Sequence, residues 1–276
     1  VYDTEKKQTI QMDLEQYTFN VLSGEMPASY ELEALKAQAI AARTLAAYKL
    51  QGHACGRGGA TVCTDFTHCQ AYDDEEGQRA KWGAQYEAYS QKLWQAVNGT
   101  RGEIITYGGE PITVFYHSTS GGVTEDAANV FSHGEPYLVS VPSAGEESAP
   151  KYKDQVTLTR AQFASAINRL YANAKVTAAS VESSVKVSER YASGRVKTLK
   201  AGNVTLTGQQ VRTLFSLNST HFNLSFTADS VIIETIGYGH GVGMSQVGAN
   251  VMAKENNGYK EILAHYFQGV TIEKKF

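Results

Sequence analysis

The sequence lacks the features that mark several classes of protein. No part of its 276 residues forms an apolar run of the ~18 residues that a membrane span requires, and no signal-peptide pattern opens the chain. Only five prolines are present, and we find neither a low-complexity segment nor an internal repeat. With 42% apolar and 19% charged residues, the composition excludes disordered, collagen-like and coiled-coil classes and predicts a folded, soluble chain.

An excess of charge of either sign is also missing. Twenty-five basic residues stand against 28 acidic ones, which gives a formal charge of -3. Such a chain has no electrostatic footprint for a nucleic acid or an anionic membrane surface, so we expect neither as a partner. Sixteen tyrosines are present, and their rings and hydroxyls suit polar, ring-shaped ligands such as sugars.

Cysteine is scarce and clustered. The chain has three cysteines, and the odd number argues against a fully paired disulfide framework. They lie with two histidines in one short window, and thiolate and imidazole are the ligands that zinc prefers. We expect Cys63, His68 and Cys69 to bind structural zinc, with Cys55 as the fourth ligand and His53 as its alternative. A disulfide from Cys55 to Cys63 or Cys69 is the competing interpretation for an exported protein.

Local patterns predict two helices and a hairpin in the first half. Apolar residues at three- and four-residue spacings predict an alanine-rich helix over residues 31–50. A second helix is expected over residues 82–98, where Gly99 supplies a stop. Residues 103–107 and 112–116 are β-rich, and the two glycines between them permit the positive φ angles of a tight turn.

The second half shows elements but no constellation of chemical groups. Thr159 can cap a helix, a hairpin is expected around residues 192–194, and residues 207–210 resemble a capping box. A strand near residues 231–233 precedes closing helices over residues 245–254 and 259–268.

Strands interleaved with helices predict an irregular, mixed α+β fold with hairpins. We expect a catalytic core made of residues 1–150 and 231–276. Residues 151–230 are expected to form an inserted, smaller α/β subdomain that supports this core.

Glu25 is the candidate general acid. It follows an apolar stretch and comes just before the alanine-rich helix, where partial burial would favour the protonated form. A helix N-terminus would instead favour the anion, and a capping carboxylate is the simpler interpretation. Lys36, Gln38 and Arg43 follow on the helix, and a solvated helix face is the interpretation that the Glu33 to Lys36 spacing favours.

Two further segments could bind a ligand. The loop of residues 116–122 carries consecutive hydroxyls before two glycines, which could offer donors and acceptors to a sugar or a peptide. It does not match the Gly-x-Ser-x-Gly pattern of a serine nucleophile. His240 lies in a glycine-rich stretch that matches neither the dinucleotide fingerprint nor the phosphate loop, and both a ligand contact and a mere tight turn remain open.

Four blocks together resemble one family. They are VLSGEMP at residues 21–27, EALKAQAIAART at 33–44, YHSTSGG at 116–122 and GHGVGMSQ at 239–246. In sequence and in order they resemble the SpoIID family, the stage II sporulation protein D lytic transglycosylases. The blocks span nearly the whole chain, whereas residues 150–230 resemble the family only loosely.

The resemblance implies cleavage of peptidoglycan glycan strands between N-acetylmuramic acid and N-acetylglucosamine, with formation of a 1,6-anhydro ring. The family's catalytic glutamate falls on Glu25, and no cofactor is needed for catalysis. Residues that would bind the sugar strand or support Glu25 are Lys36, Gln38, Arg43, Tyr116, His117, Ser118, Thr119, Ser120, His240, Ser245 and Gln246.

The resemblance also implies a cellular setting. Family members are anchored by an N-terminal membrane helix, and the chain begins at Val1, so we expect that anchor to have been removed. They face the space between mother-cell and forespore membranes during engulfment, on the outer face of the cytoplasmic membrane. There they act with a SpoIIP-type amidase on peptide-stripped strands.

Clostridial relatives carry zinc near the equivalent cysteine segment. In this sequence Arg57 stands where a zinc ligand would be expected, so Cys55 or His53 is expected to be the fourth ligand.

Two other functions compete with the transglycosylase. Amidase-enhancer proteins share these blocks, so the chain could be a non-catalytic glycan-binding protein that activates a partner amidase. A zinc hydrolase that uses His117, His240 and the cysteine cluster is the second alternative.

Overall fold

The computed structural model describes residues 1–131 and 133–276. The chain divides into two compact units, the first formed by Val1–Phe115 and Ala249–Phe276 and the second by Tyr116–Gly248. The division expected from the sequence places its boundaries at residues 150 and 231, which both lie inside the second unit. The assignment of a catalytic core and a supporting insert is a functional statement and stays a prediction.

Helices occur in both units. In chain order they are α1 (Leu14–Glu25), α2 (Leu32–Leu50), α3 (Glu75–Trp82), α4 (Tyr86–Gly99), α5 (Arg160–Leu170), α6 (Val181–Ser184), α7 (Gly208–Leu214), α8 (Gln246–Lys254) and α9 (Tyr259–Tyr266). Along the described ranges 1–131 and 133–276, none of the helices has both the length and the apolar character that crossing a membrane requires.

The strands are short. In chain order they are β1 (Tyr2–Asp3), β2 (Gln8–Thr9), β3 (Glu103–Tyr107), β4 (Glu110–Pro111), β5 (Tyr116–His117), β6 (Gly122–Val123), β7 (Pro142–Ser143), β8 (Lys153–Thr159), β9 (Val185–Arg190), β10 (Val196–Ala201), β11 (Val204–Thr207), β12 (Phe222–Phe226), β13 (Ser230–Ile236), β14 (Met244–Ser245) and β15 (Thr271–Lys274). Helices and short strands alternate throughout, which confirms the predicted mixed α+β class.

The first unit is built around α2. This helix packs against α1, α4, α9 and β3, and most of its alanines are fully buried. Small side chains allow this close approach on several sides, so the alanine-rich stretch predicted as a helix is the centre of the unit. Beside it, β3 lies between β4 and the C-terminal β15, and both pairings are antiparallel.

The second unit contains two three-stranded antiparallel sheets. Their orders are β11-β10-β9 and β12-β13-β8, and their apolar side chains form one core with α5, α6 and α7. Thr159 and Thr207 each form a capping box at the start of a helix, α5 and α7 respectively. Both caps, the β9–β10 hairpin, β13 and the closing helices α8 and α9 confirm the predictions made for this part of the sequence.

Candidate functional site

Glu25 is the last residue of α1, and it is partly exposed. The expectation that it lies at the N-terminus of the alanine-rich helix is wrong, because α2 begins only at Leu32 with Glu31 as its N-cap. Helix α1 ends before Pro27, which has no N–H to continue the helical hydrogen bonds. The capping interpretation of Glu25 and the stabilisation of its anion by a helix N-terminus therefore do not apply.

A backbone amide holds the Glu25 carboxylate. The N–H of Ala71 donates to Oε1 of Glu25 with an N···O distance of 2.6 Å. Gly24 makes this approach possible, since a Cβ atom there would lie 2.7 Å from the nitrogen of Tyr72 and 2.9 Å from the carbonyl carbon of Ala71. Glycine at position 24 thus lets residues 71–72 lie against the end of α1.

The segment around Ala71 has further anchors on the two helices. The Gln70 amide donates to the Tyr17 hydroxyl at 3.0 Å and to the Ala42 carbonyl at 3.4 Å. On the other side of Ala71, the N–H of Asp73 donates to the carbonyl of Asn20 at 3.0 Å. Backbone donors leave no residue-type signal, so this segment could not be predicted from the sequence.

The predicted metal ligands come together directly before this segment. Ligand atoms of Cys55, Cys63, His68 and Cys69 all lie within 4.8 Å of one another. His68 Nδ1 is 3.4 Å from the sulfur of Cys63 and 3.7 Å from that of Cys69. Tetrahedral zinc with Zn–S bonds of about 2.3 Å separates two sulfurs by roughly 3.8 Å, and a sulfur from a nitrogen by slightly less. The donor set and its spacing fit a metal ion.

The two candidates for the fourth ligand, Cys55 and His53, have different surroundings. His53 is outside the cluster and stacks on the Tyr48 ring, with centroids 4.0 Å apart. Cys55 lies in the cluster, and all three cysteines are free thiols, so no disulfide joins them. Arg57 pairs instead with Asp65 at 2.7 Å. Hydrogen bonds from Thr67 and Arg57 lower the pKa of Asp65 to about 2, so this loop carries a carboxylate at neutral pH.

The three polar residues predicted on the face of α2 have different surroundings. Lys36 pairs with Glu33 at 2.7 Å and remains partly exposed, as helix-surface spacing predicts. A solvated face is wrong for Gln38 and Arg43, whose side chains are 0% exposed. Arg43 pairs with Glu15 in the core, and the Gln38 amide has no hydrogen-bond partner among the residues described.

In the second unit, two of the sequence blocks form adjacent strands. β5 and β14 pair in parallel, with Tyr116 opposite Met244 and His117 opposite Ser245. Ser118 accepts at its carbonyl oxygen from the Val247 N–H at 3.0 Å and from the Ser245 hydroxyl at 3.3 Å. Gln246, the first residue of α8, directly follows Ser245 at the end of β14. The structure therefore brings together most of the polar residues predicted to bind sugar.

His117 and His240 lie close together in this unit. Their ring centroids are 5.7 Å apart, and Nδ1 of His240 accepts from the Val242 N–H at 3.0 Å. Burial, with the nearby Arg212 and Arg195, lowers the pKa of His240 to about 4. Burial and His240 likewise hold the pKa of His117 well below its usual range. Both rings are therefore neutral at pH 7.

The glycines around His240 make room for the protein's own side chains. Gly239 has a φ of 117°, and a Cβ atom there would lie 2.8 Å from Cβ of His117. At Gly241, with a φ of 86°, a Cβ atom would lie 2.4 Å from the guanidinium carbon of Arg195. Close packing of His117 and Arg195 against this turn accounts for both glycines.

Two buried charges that the sequence did not reveal hold the loop of residues 116–122. Glu146 accepts from the Ser120 N–H at 2.6 Å, from the Ser120 hydroxyl at 2.9 Å and from the Ser143 hydroxyl at 2.5 Å. Arg195 donates to the carbonyl of Ser120 at 2.6 Å. The Ser120 hydroxyl thus binds a carboxylate, which does not fit a serine nucleophile activated by histidine.

Comparison with known proteins agrees with this arrangement of blocks. The SpoIID family, described as stage II sporulation protein, matches residues 2–107. The stage II sporulation protein D of Bacillus subtilis (strain 168) is 35% identical over 275 residues, which cover 99% of this chain and 78% of that protein. The chain belongs to the SpoIID family. Its homologue in Bacillus amyloliquefaciens, also named stage II sporulation protein D, is 34% identical over the same shares.

A second family model and a further relative also match this SpoIID family member. A domain of unknown function, DUF8618, matches residues 135–243, which lie within the second unit. A protein of Bacillus subtilis (strain 168) named amidase enhancer is 27% identical over 302 residues, which cover 91% of this chain and 39% of that protein. Family membership places the chain among sporulation proteins.

Proposed function

We propose that this chain is a peptidoglycan lytic transglycosylase with Glu25 as its single catalytic carboxylate. It cleaves the bond from N-acetylmuramic acid to N-acetylglucosamine in peptide-stripped glycan strands and leaves a 1,6-anhydro end. The observation that carries the proposal is the placement of Glu25, a partly exposed carboxyl at a helix end with one oxygen fixed by the Ala71 N–H. Fixed orientation is what a general acid needs in order to meet the glycosidic oxygen.

One carboxyl group is enough for this reaction. Protonated Glu25 gives its proton to the glycosidic oxygen as the bond from C1 to that oxygen breaks. The C6 hydroxyl of the muramic acid then attacks C1, and its proton passes to the Glu25 carboxylate, which restores the acid. Because the sugar supplies its own nucleophile, neither a second carboxylate nor an attacking water is required, in contrast to ordinary glycosidases.

The polar loop of the second unit is assigned to holding the strand. His117 and His240 are uncharged at neutral pH and, with the partly exposed Ser118, offer donors and acceptors that suit an uncharged sugar. Thr119 and Ser120 are fully buried, so their hydroxyls would support the loop instead of contacting the strand. Support comes from the buried carboxylate of Glu146, which fixes the backbone of this loop. The roles of Lys36 and Gln246 in binding stay predictions, and full burial of Gln38, Arg43 and Ser245 favours a supporting role for them.

We assign zinc to the cluster of Cys55, Cys63, His68 and Cys69. Four protein ligands would close the coordination shell, and a closed shell is typical of a structural metal site. When bound, zinc would supply a cross-link between the loop of residues 55–63 and the start of the segment that reaches Ala71. Because the four donors all come from the first unit, the assignment does not need His117 or His240, and this disfavours the zinc hydrolase.

The proposed setting is engulfment during sporulation. The substrate would be glycan strands already stripped of peptides by a SpoIIP-type amidase, in the space between mother-cell and forespore membranes. A membrane anchor N-terminal to Val1 would hold the protein on the outer face of the cytoplasmic membrane. Membership of the SpoIID family and the likeness to an amidase enhancer support this setting.

A non-catalytic activator of an amidase is the second candidate, and the match to an amidase enhancer is what favours it. Purified wild type, Glu25→Gln and the exposed control Glu31→Gln are incubated with peptide-free strands, and products are identified by mass spectrometry. The enzyme is supported if wild type and Glu31→Gln release anhydromuramyl ends and Glu25→Gln does not. The activator replaces it if no protein releases product while all bind glycan and stimulate the amidase.

A further inference from the structure

We propose that the Cys55, Cys63, His68 and Cys69 cluster is a positioning device for Glu25, which links metal binding to the orientation of that carboxylate. The link runs through the backbone from Cys69 to Ala71. This inference rests on the proposed function for its catalytic consequence, whereas the link itself is a property of the first unit. It predicts that metal occupancy and the hydrogen bond from Ala71 to Glu25 strengthen each other.

The path between the cluster and Glu25 is short. Cys69 supplies a ligand atom, and two residues later the Ala71 N–H donates to Glu25 at 2.6 Å. The Cys69 sulfur also accepts from the Cys63 N–H at 3.4 Å, so the two ligands share a backbone contact before the segment leaves the cluster. Only one residue, Gln70, separates the ligand from the positioning donor, which leaves little slack in the chain.

Residues 71–72 also pack closely against the end of α1, where Glu25 lies. Residues 71–72 lie so close to Gly24 that a Cβ atom there would be 2.7 Å from the nitrogen of Tyr72. A hydrogen bond of 2.6 Å is lost when donor and acceptor separate by roughly 1 Å more. A displacement of the segment by that amount, too small to unfold the unit, would release the carboxylate.

Contacts of residues 69 and 70 that do not involve the metal limit how far the segment can move when the metal is removed. Gln70 bonds to Tyr17 and Ala42, and Cys69 packs beside the apolar cluster that contains Tyr17 and Val21. These contacts persist without a metal and hold part of the segment in place. By contrast, the loop that carries Cys55 and Cys63 contacts His68 and Cys69 through weak hydrogen bonds of sulfur, between the Cys63 sulfur and His68 Nδ1 and from the Cys63 N–H to the Cys69 sulfur. The ion pair of Arg57 with Asp65 also holds this loop and does not depend on a metal. We therefore expect metal removal to loosen the Ala71 donor and leave the unit folded.

Thermodynamic reciprocity provides the test, because a metal that strengthens the Ala71 to Glu25 bond must itself bind less tightly when that bond is lost. The affinity of the purified protein for Zn²⁺ is measured by competition with a chromophoric chelator. Glu25→Ala should weaken Zn²⁺ binding about fivefold or more, the lower range of measured coupling between sites. Glu25→Gln keeps an oxygen acceptor for Ala71 and should bind Zn²⁺ within about threefold of wild type. Glu33→Ala, a control that removes a carboxylate bound to Tyr259, should not change the affinity.

Equal affinities for all four proteins would overturn the proposal. Equal weakening by Glu25→Ala and Glu25→Gln would also overturn it, since the effect would then follow from charge and not from the hydrogen bond. The Ala71 amide resonance gives a second readout, because a strong bond to a carboxylate displaces it. Chelation should move that resonance toward its position in Glu25→Ala, and an unchanged resonance would contradict the link. None of these measurements requires turnover, so they can succeed or fail independently of the transglycosylase assay.

Discussion

Arg43 and Glu15 form an ion pair in the interior of the first unit. Nε of Arg43 lies 3.1 Å from Oε1 and 3.0 Å from Oε2 of Glu15. Further hydrogen bonds complete the pair, from the guanidinium to the Glu103 carbonyl and from the Gly102 N–H to Glu15. The pair thus joins α1 and α2 to the start of β3, and each charge depends on the other.

Replacement of Arg43 by methionine is expected to lower the free energy of unfolding by about 3–5 kcal/mol, because Glu15 would be left buried without its partner. Urea denaturation measures the change. Arg79→Met is the control, since Arg79 pairs with Glu75 on the surface, and that pair should contribute less than about 1 kcal/mol. Equal losses for the two variants would contradict the structural role. A rise in KM for glycan with unchanged stability would instead assign Arg43 to sugar binding.

The sequence predicted α2 well because the helix is rich in alanine and leucine, which are strong helix formers. Helix α1 is buried on most sides, as α2 is, but Tyr17, Thr18, Asn20 and Val21 favour a helix only weakly. Its composition therefore gave no signal. Glu15 and Arg43 could not be paired, because Glu15 belongs to that undetected helix.

Long-range pairing limits prediction in a second way. The turn at Gly108 and Gly109 follows from sequence, and both residues have positive φ as predicted. The second strand expected over residues 112–116 is wrong, because β4 covers only Glu110–Pro111 and Tyr116 belongs to β5, which pairs with β14. On the other edge of β3, Thr271 lies opposite Thr106, a pairing that no local pattern reveals.

Prediction of the candidate site depended on the kind of group involved. Thiol and imidazole side chains are recognisable by residue type, so the cluster of Cys63, His68 and Cys69 could be found. The choice of Cys55 over His53 needed coordinates, since both lie near the same turn in sequence. Backbone donors such as Ala71 carry no such signal, because every residue except proline has an N–H.

Substitution of each residue in turn is expected to show whether Cys55 or His53 is the fourth metal ligand. Cys55→Ser should weaken Zn²⁺ binding by at least about tenfold, because even the outer partners of metal ligands contribute 10–100-fold. His53→Ala should retain wild-type zinc content, since its ring stacks on Tyr48 outside the cluster. Zinc content after gel filtration and the melting temperature provide the measurements. Loss of zinc from His53→Ala with full retention by Cys55→Ser would reverse the assignment.

The buried carboxylate of Glu146 is expected to control sugar binding through the loop that it holds. Glu146→Gln exchanges one acceptor oxygen for an amide, which cannot accept from the Ser120 N–H or hydroxyl. KM for glycan strands should rise several-fold with a smaller change in kcat. The free energy of unfolding should fall by about 1–3 kcal/mol. Glu147→Gln, at the adjacent exposed position, is the matched control and should change neither. An unchanged KM in Glu146→Gln would show that the loop does not contribute to substrate binding.

Acid is expected to destabilise the second unit through its neutral histidines. Burial lowers the pKa of His240 to about 4, whereas a histidine in the unfolded chain titrates near 6.5. As the pH falls below about 6.5 the unfolded chain gains a proton first, so stability decreases until about pH 4, where the folded state gains one too. Urea denaturation at pH 7.5 and pH 5 should show this loss. In His240→Gln the difference should shrink by roughly 1–2 kcal/mol. An identical difference in both proteins would exclude His240 as a cause.

The identity of the glycan product tests the proposed activity most directly. Peptide-free strands are digested by wild type in water labelled with heavy oxygen, and the new muramic acid ends are weighed by mass spectrometry. We predict ends one water lighter than a hydrolysed end, without heavy oxygen, because the C6 hydroxyl and not water attacks C1. Glu25→Gln should yield no such ends. Reducing ends that carry heavy oxygen, or equal product from Glu25→Gln, would contradict catalysis by Glu25 as a lytic transglycosylase.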